Sequence, residues 1–391
     1  MAEAPFNVFF FYIKSLTILM SEVSTMPAIR RVLLAQIPVL VVGLVLLGAV
    51  SRGLAVTEVG THHYAGPGPF EVSMSTVSEQ GLLITPSTEL AAKKKWPAVV
   101  FAHGLCGPTE RYSDTLKRLS SWGFIIMANE KQEDCGEKMT PTHPVEAMKN
   151  FFSMPFKVES AMNFSAMAKN VQSNIDYLLT RDDVDPNAIA LMGHSMGGGI
   201  VFDVAAHLAE SQPDLIKAVV SLAPWNGVKP RPSSVVEKVT APILIFCSMS
   251  DTLCPCSGEF TITDTQGLFT GPASVGAPFL FGPDSDPTWH GGSMAIFDNA
   301  RNATLIDVQD VSHFTIAGTD NGAQMQNLAD WANGISGLNF SKPNRPYQDI
   351  PTLEYAVAFL NVALKLDLTK GKTTLSQAKS DPRLVSVKTS H

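Results

Sequence analysis

The stretch AIALMGHSMGGGIVF, Ala188 to Phe202, decides how this chain is read. Ile189, Ala190, Leu191 and Met192 form a short apolar run, Gly193-His194-Ser195-Met196-Gly197 follows, and small residues open the next segment. The order is strand, sharp turn, helix, with a serine at the apex. A G-x-S-x-G turn this tight strains its central residue and leaves no room for side chains on its flanks, a need that Gly193 and Gly197 meet. The turn lifts the Ser195 hydroxyl above the sheet edge and aims the Met196 N–H at any oxyanion formed beside it. The plainer reading is a glycine-rich loop with an incidental serine; the flanking strand and helix favour a nucleophile.

Outward from this turn the chain alternates between short apolar runs and helical patterns, which predicts an α/β fold with a mostly parallel central sheet flanked by helices. Upstream, Phe70–Val77 and Leu82–Ile84 read as antiparallel edge strands, and Ala98–Phe101 as a strand buried on both faces. Helical spacing covers Glu110–Trp122, including Tyr112, Leu116 and Leu119, and also Ser160–Leu179. Downstream, Gly198–Leu208 is the helix behind the turn. Ile216–Leu222, Pro242–Phe246 and Thr304–Val308 are further strands, and Leu353–Leu366 is a last helix. Trp225 stands at a strand's carboxyl end, where such sheets bind ligands, so it is expected to line a cleft. Residues 130–155 carry Met148, Phe151, Phe152 and Met154 in an irregular setting, which suits a cap over a greasy cleft or ordinary packing under a long loop.

An activated serine needs a histidine to take its proton and a carboxylate to fix that histidine's tautomer. Asp251 stands just past the strand 242–246, and His313 just past the strand 304–308. Both therefore sit at strand carboxyl ends, in the order serine, acid, base. The rivals fit less well. Asp307 lies inside a strand, Asp310 immediately precedes His313, and Asp284 and Asp286 sit in a proline-flanked loop. His290, in Trp-His-Gly-Gly, is the main rival base; His194 belongs to the turn itself and His103 reads as structural.

The 391 residues, 45% hydrophobic and 17% charged, allow one large α/β domain with extra segments. A net charge of −7 without a long basic run argues against nucleic acid as a partner. Val32–Val50 is a nearly continuous apolar run behind Arg30 and Arg31, readable as a signal peptide starting at Met26 or as an uncleaved membrane anchor. Sequons at Asn163, Asn302 and Asn339 fit export. The cysteines (Cys106, Cys135, Cys247, Cys254, Cys256) permit two disulfides and a free thiol, with Cys254 and Cys256 too close to pair comfortably. They lack the spacing of a metal site.

These motifs resemble the α/β-hydrolase superfamily, in particular the secreted polyesterases that include poly(ethylene terephthalate) hydrolases and cutinase-like enzymes. The matching stretches are GPFEVSMSTVS, GHSMGGG, IKAVVSLAPW, VTAPILIFCSMSD and VSHF, running from Gly68 to about Leu366. Chlorophyllases and platelet-activating-factor acetylhydrolases look like more distant relatives. The resemblance implies a carboxylic ester hydrolase with Ser195, Asp251 and His313 as its triad and Trp225 as a cleft wall. It also implies that the loop Ala102-His103-Gly104-Leu105 supplies a second oxyanion donor, the Leu105 N–H, beside that of Met196. No metal or organic cofactor is implied, and the substrate is a hydrophobic ester. The departures are a long interval between Asp251 and His313, the insertions within 257–300 and 317–350, and a cysteine pattern unlike the bacterial enzymes.

The expected organisation is a targeting or anchor segment over 1–56, a catalytic domain over 57–370 and a polar tail over 371–391. The leader fits the secretory pathway, with membrane association through residues 32–50 or plastid-type targeting as variants. Chlorophyllase, lipid acetylhydrolase and a non-catalytic binding protein on a hydrolase fold stand as the rival functions.

Overall fold

A computed structural model describes residues 63–77, 80–87, 95–104, 109–129, 164–226, 233–251, 254, 256, 259–263, 270–274, 292–311, 313–318 and 350–390. Residues His62–His391 form one compact unit. The leader, the proposed cap of residues 130–155, Leu105, Cys106, Cys135, Asp284, Asp286 and His290 lie outside the described residues. So does the leader's apolar run; among the described residues no helix is long and apolar enough to cross a membrane.

The core is a nine-stranded sheet. Its strands are β1 (Glu71–Val77), β2 (Gly81–Ser87), β3 (Trp96–Ala102), β4 (Ile125–Ala128), β5 (Val184–His194), β6 (Ile216–Leu222), β7 (Ile243–Cys247), β10 (Ala303–Val308) and β11 (Leu384–Thr389). A separate two-stranded ribbon pairs β8 (Glu259–Thr263) with β9 (Thr270–Ser274). Spatial order in the main sheet is β1-β2-β4-β3-β5-β6-β7-β10-β11. The six strands from β4 to β10 run parallel, and the edge pairs β1–β2, β2–β4 and β10–β11 are antiparallel.

The apolar runs of the parallel strands follow from burial on both faces. Along β3, Ala98, Val100 and Ala102 enter one core while Val99 and Phe101 enter the other. Helices α2 (Phe164–Leu179) and α3 (Met196–Ser211) cover the first face; α1 (Ser113–Ser121) and α6 (Thr352–Ala363) cover the second. Short helices α4 (Ser233–Val236) and α5 (Ser293–Asp298) contribute Val236 and Ile296 to the first core.

The register brings the carboxyl ends of the parallel strands level. Ala102 of β3 faces Gly193 of β5, His194 faces Leu222 of β6, Leu222 faces Phe246 of β7, and Cys247 faces Asp307 of β10. Ser195, Met196, Trp225, Asp251 and His313 therefore belong to loops or a helix start leaving the same end of the sheet.

The chain end departs from expectation. Instead of a polar tail, residues 368–390 form helix α7 (Leu368–Gln377) and strand β11, which closes the sheet against β10. Composition hid this because the strand is held partly by polar groups. Arg383 pairs with the buried carboxylate of Glu354 on α6 at 2.8 Å and with Asp381. The Tyr355 hydroxyl donates to Asp381 at 2.6 Å. Taking the guanidinium away strips Glu354 of that ion pair inside the protein. Arg383→Met is expected to cost about 3 kcal/mol in urea unfolding, and a loss below about 1 kcal/mol would contradict this role for the pair.

Candidate active site

Ser195 stands between the end of β5 and the start of α3 with φ 56 and ψ −120, a left-handed conformation unusual for a residue with a side chain. Three backbone hydrogen bonds hold it there. Its N–H donates to the Leu222 carbonyl at 2.9 Å, and its carbonyl accepts from Gly199 at 3.0 Å and Trp225 at 2.8 Å. Gly197 is required by close approach, since a Cβ there would collide with the carbonyl oxygens of Ala102 and His103. Ser195 is half-buried, and Met196, buried, is the first residue of α3. N–H groups in a helix's first turn have no intrahelical partner and suit a developing negative charge.

Asp251 and His313 come together although 62 positions apart: His313 Nδ1 donates to Asp251 Oδ2 at 2.8 Å. Both side chains are buried. The other carboxylate oxygen, Oδ1, accepts the Cys254 N–H at 2.9 Å. With Nδ1–H committed to the carboxylate, neutral His313 presents its Nε2 lone pair. Trp225 is half-buried and joined to the Ser195 turn through its backbone N–H. Gly104, the last described residue before Leu105, packs directly on the turn. A Cβ there would lie 3.1 Å from Ser195 Cβ and 3.2 Å from His194 Nδ1.

The Asp251 loop is braced. A disulfide joins Cys247, the last residue of β7, to Cys256, so the covalent loop encloses Asp251. The Ser248 carbonyl accepts from the N–H groups of Asp251 and Cys256. Cys254 is a buried free thiol; burial, and then the Asp251 charge, push its pKa well above the ordinary value, which leaves it unreactive. Cys247, Cys256 and Asp307 bring possible metal donors within 4.8 Å of one another, but sulfurs bonded to each other are not the thiolates a metal needs.

His103 is buried and donates from Nδ1 to the Gly104 carbonyl at 2.7 Å. Asp310 lies in a left-handed turn after β10. The motif alone does not disclose Tyr112, whose hydroxyl meets His194 Nδ1 at 2.9 Å. A tyrosine 82 positions upstream, in a helical pattern, carries no signal for that contact.

A strand–elbow–helix on a central parallel strand, with carboxylate and imidazole joined at the same sheet end, matches one fold plan. The chain has the α/β-hydrolase fold. The dienelactone hydrolase family model matches residues 80–265, just under half of the chain. Similarity extends to Cutinase 1 of Thermobifida cellulosilytica, 27% identical over 198 residues, covering 49% of this chain and 63% of that protein. Cutinase est1 of Thermobifida alba is 36% identical over 98 residues, covering 24% of this chain and 30% of the relative. A bis(hydroxyethyl) terephthalate hydrolase of Streptomyces coelicolor is 35% identical over 89 residues, covering 22% and 26%. The matched part of this chain covers between 26% and 63% of the length of these relatives.

Asp307 offers a pH test of the site's support. It is buried on β10, and its Oδ1 has no hydrogen-bond partner among the described residues. Burial pushes its pKa up to about 6, opposed by the Met249 N–H and Lys388. A carboxyl with a raised folded-state pKa holds its proton in the native state while the unfolded chain has released it. Stability therefore falls as pH rises from about 4 to about 6 and stays reduced above that. Asp307→Asn should remove this fall and raise stability at neutral pH by about 2 kcal/mol relative to the parent, with little change at pH about 3.5. Parallel unfolding-versus-pH curves for the two proteins would contradict it.

Proposed function

We propose that this protein is a serine carboxylic ester hydrolase, with Ser195 as nucleophile, His313 as general base and acid, and Asp251 as the carboxylate that orients it. The observation that carries the reading is the buried Asp251–His313 hydrogen bond at the same sheet end as the strained Ser195 turn. The hydrolase family match and the names of the relatives, cutinases and a terephthalate ester hydrolase, support the reaction class.

In this mechanism His313 Nε2 takes the Ser195 proton as Oγ bonds to the ester carbonyl carbon. The carbonyl π electrons move onto oxygen, where the N–H groups of Met196 and Leu105 stabilise the charge. The tetrahedral intermediate collapses, the C–O bond to the alcohol breaks, and His313 returns its proton to the leaving oxygen. Water then attacks the acyl-enzyme with His313 again as base, releasing the acid and restoring the Ser195 hydroxyl. Asp251, which accepts from the Cys254 N–H as well as from His313, orients the imidazole and stabilises the imidazolium.

The substrate class is a hydrophobic ester, with Trp225 as a wall of its cleft. Export through the secretory pathway is supported by the apolar leader of residues 32–50 and the Cys247–Cys256 disulfide, a bond that persists in oxidising compartments. Ser195→Ala should lower kcat on a short soluble ester by about 10⁴-fold or more while leaving the unfolding transition near that of the parent. Retained activity in that variant would overturn the assignment. A panel of bis(hydroxyethyl) terephthalate, a short-chain phospholipid and chlorophyll then assigns the acyl and alcohol groups.

A further inference from the structure

The serine mechanism leaves a buried group unused. His194, inside the turn, hydrogen-bonds to the His313 segment and to Tyr112. Its Nε2 lies 2.6 Å from the backbone carbonyl of His313. A carbonyl only accepts, so Nε2 carries the hydrogen. The ring's other nitrogen, Nδ1, then offers a lone pair, and the Tyr112 hydroxyl at 2.9 Å donates to it. The same hydroxyl oxygen accepts the Gly104 N–H at 3.1 Å. The hydrogen bonds run one way, from the main chain of Gly104 through Tyr112 and His194 to the main chain of His313.

Every member of this chain is buried. Burial pushes the Tyr112 pKa up to about 12 and, together with His313, holds that of His194 well below its ordinary value. Tyr112 therefore keeps its proton and His194 stays neutral, so the direction of the bonds persists through turnover. Both ring nitrogens of His194 are occupied, which also removes it as a competing base for Ser195. The rings support the geometry: His194 lies 4.7 Å from the His313 ring, and Tyr112 packs 4.9 Å from Phe101 of β3.

We propose that Tyr112 and His194 are positioning residues, a hydrogen-bond relay that ties the loop of His313 to the loop of Gly104 across the nucleophile turn. His313 is thus anchored twice, by its side chain on Asp251 and by its main chain on His194. The inference rests on the assignment of Ser195 and His313 as the reacting pair.

Tyr112→Phe removes the hydroxyl and keeps the ring. It should lower kcat on a short soluble ester about tenfold, the effect of one buried hydrogen bond, with KM changed less than about twofold. His194→Gln, whose amide can both donate and accept, should retain clearly more kcat than His194→Leu, which fills space without either function. Nitrogen-15 NMR of histidine-labelled protein reads the relay without turnover: the Nε2–H tautomer is expected at His194, and an Nδ1–H tautomer would overturn the relay. Unchanged kcat in Tyr112→Phe, or equal kcat in the two His194 variants, would overturn it as well. In those cases wild-type turnover and its loss in Ser195→Ala persist, whereas a wild type without esterase activity defeats the underlying assignment itself.

Discussion

Ser195 holds a backbone conformation that a residue with a Cβ adopts only under compulsion, at a cost on the order of 1–3 kcal/mol. The compulsion comes from the sheet. Leu222 at the end of β6 takes the Ser195 N–H, and Trp225, two residues beyond the Ala223 turn, returns a hydrogen bond to the Ser195 carbonyl. Gly197 allows α3 to start against the carbonyls of Ala102, the last residue of β3, and His103, where any side chain would collide. The Ser195 hydroxyl is placed by backbone geometry, and the parallel register that levels β3, β5, β6, β7 and β10 supplies that geometry.

The same register explains why Asp251 and His313 meet. β7 and β10 are neighbours, so the loops leaving them are adjacent, and a separation of 62 residues closes to a 2.8 Å contact. Burying a carboxylate is costly unless its lone pairs are satisfied. The Cys254 N–H and His313 Nδ1–H do this, inside a loop closed by the Cys247–Cys256 disulfide. Rigidity at Asp251 is thus provided locally, by covalent and backbone constraints, rather than by the sheet itself.

Much of this was legible in the sequence, because burial on both faces writes an unbroken apolar run at each parallel strand. Ile216–Leu222 was bounded correctly from its residues alone, and the elbow declared itself through glycine spacing. Three features were not legible, each for a physical reason. The strand β11 is anchored by Arg383, Asp381, Glu354 and Tyr355, so it reads as polar surface until its partners are known. The disulfide pairing depends on three-dimensional approach, and sequence could only remove Cys254–Cys256 from the options. Tyr112 meets His194 through tertiary packing on β3 of the 3-10 turn Thr109–Tyr112 that precedes α1, a contact no local pattern encodes.

The chemical claim at the centre is that Ser195 is activated by the Asp251–His313 pair. Reaction with a fluorophosphonate probe, followed by peptide mapping, tests it most directly, since the probe bonds only to an activated hydroxyl. A single adduct on Ser195, formed at a rate about 10³-fold or more lower in His313→Ala, is the expected result. A folded protein that takes no label, or one labelled equally fast without His313, would contradict it.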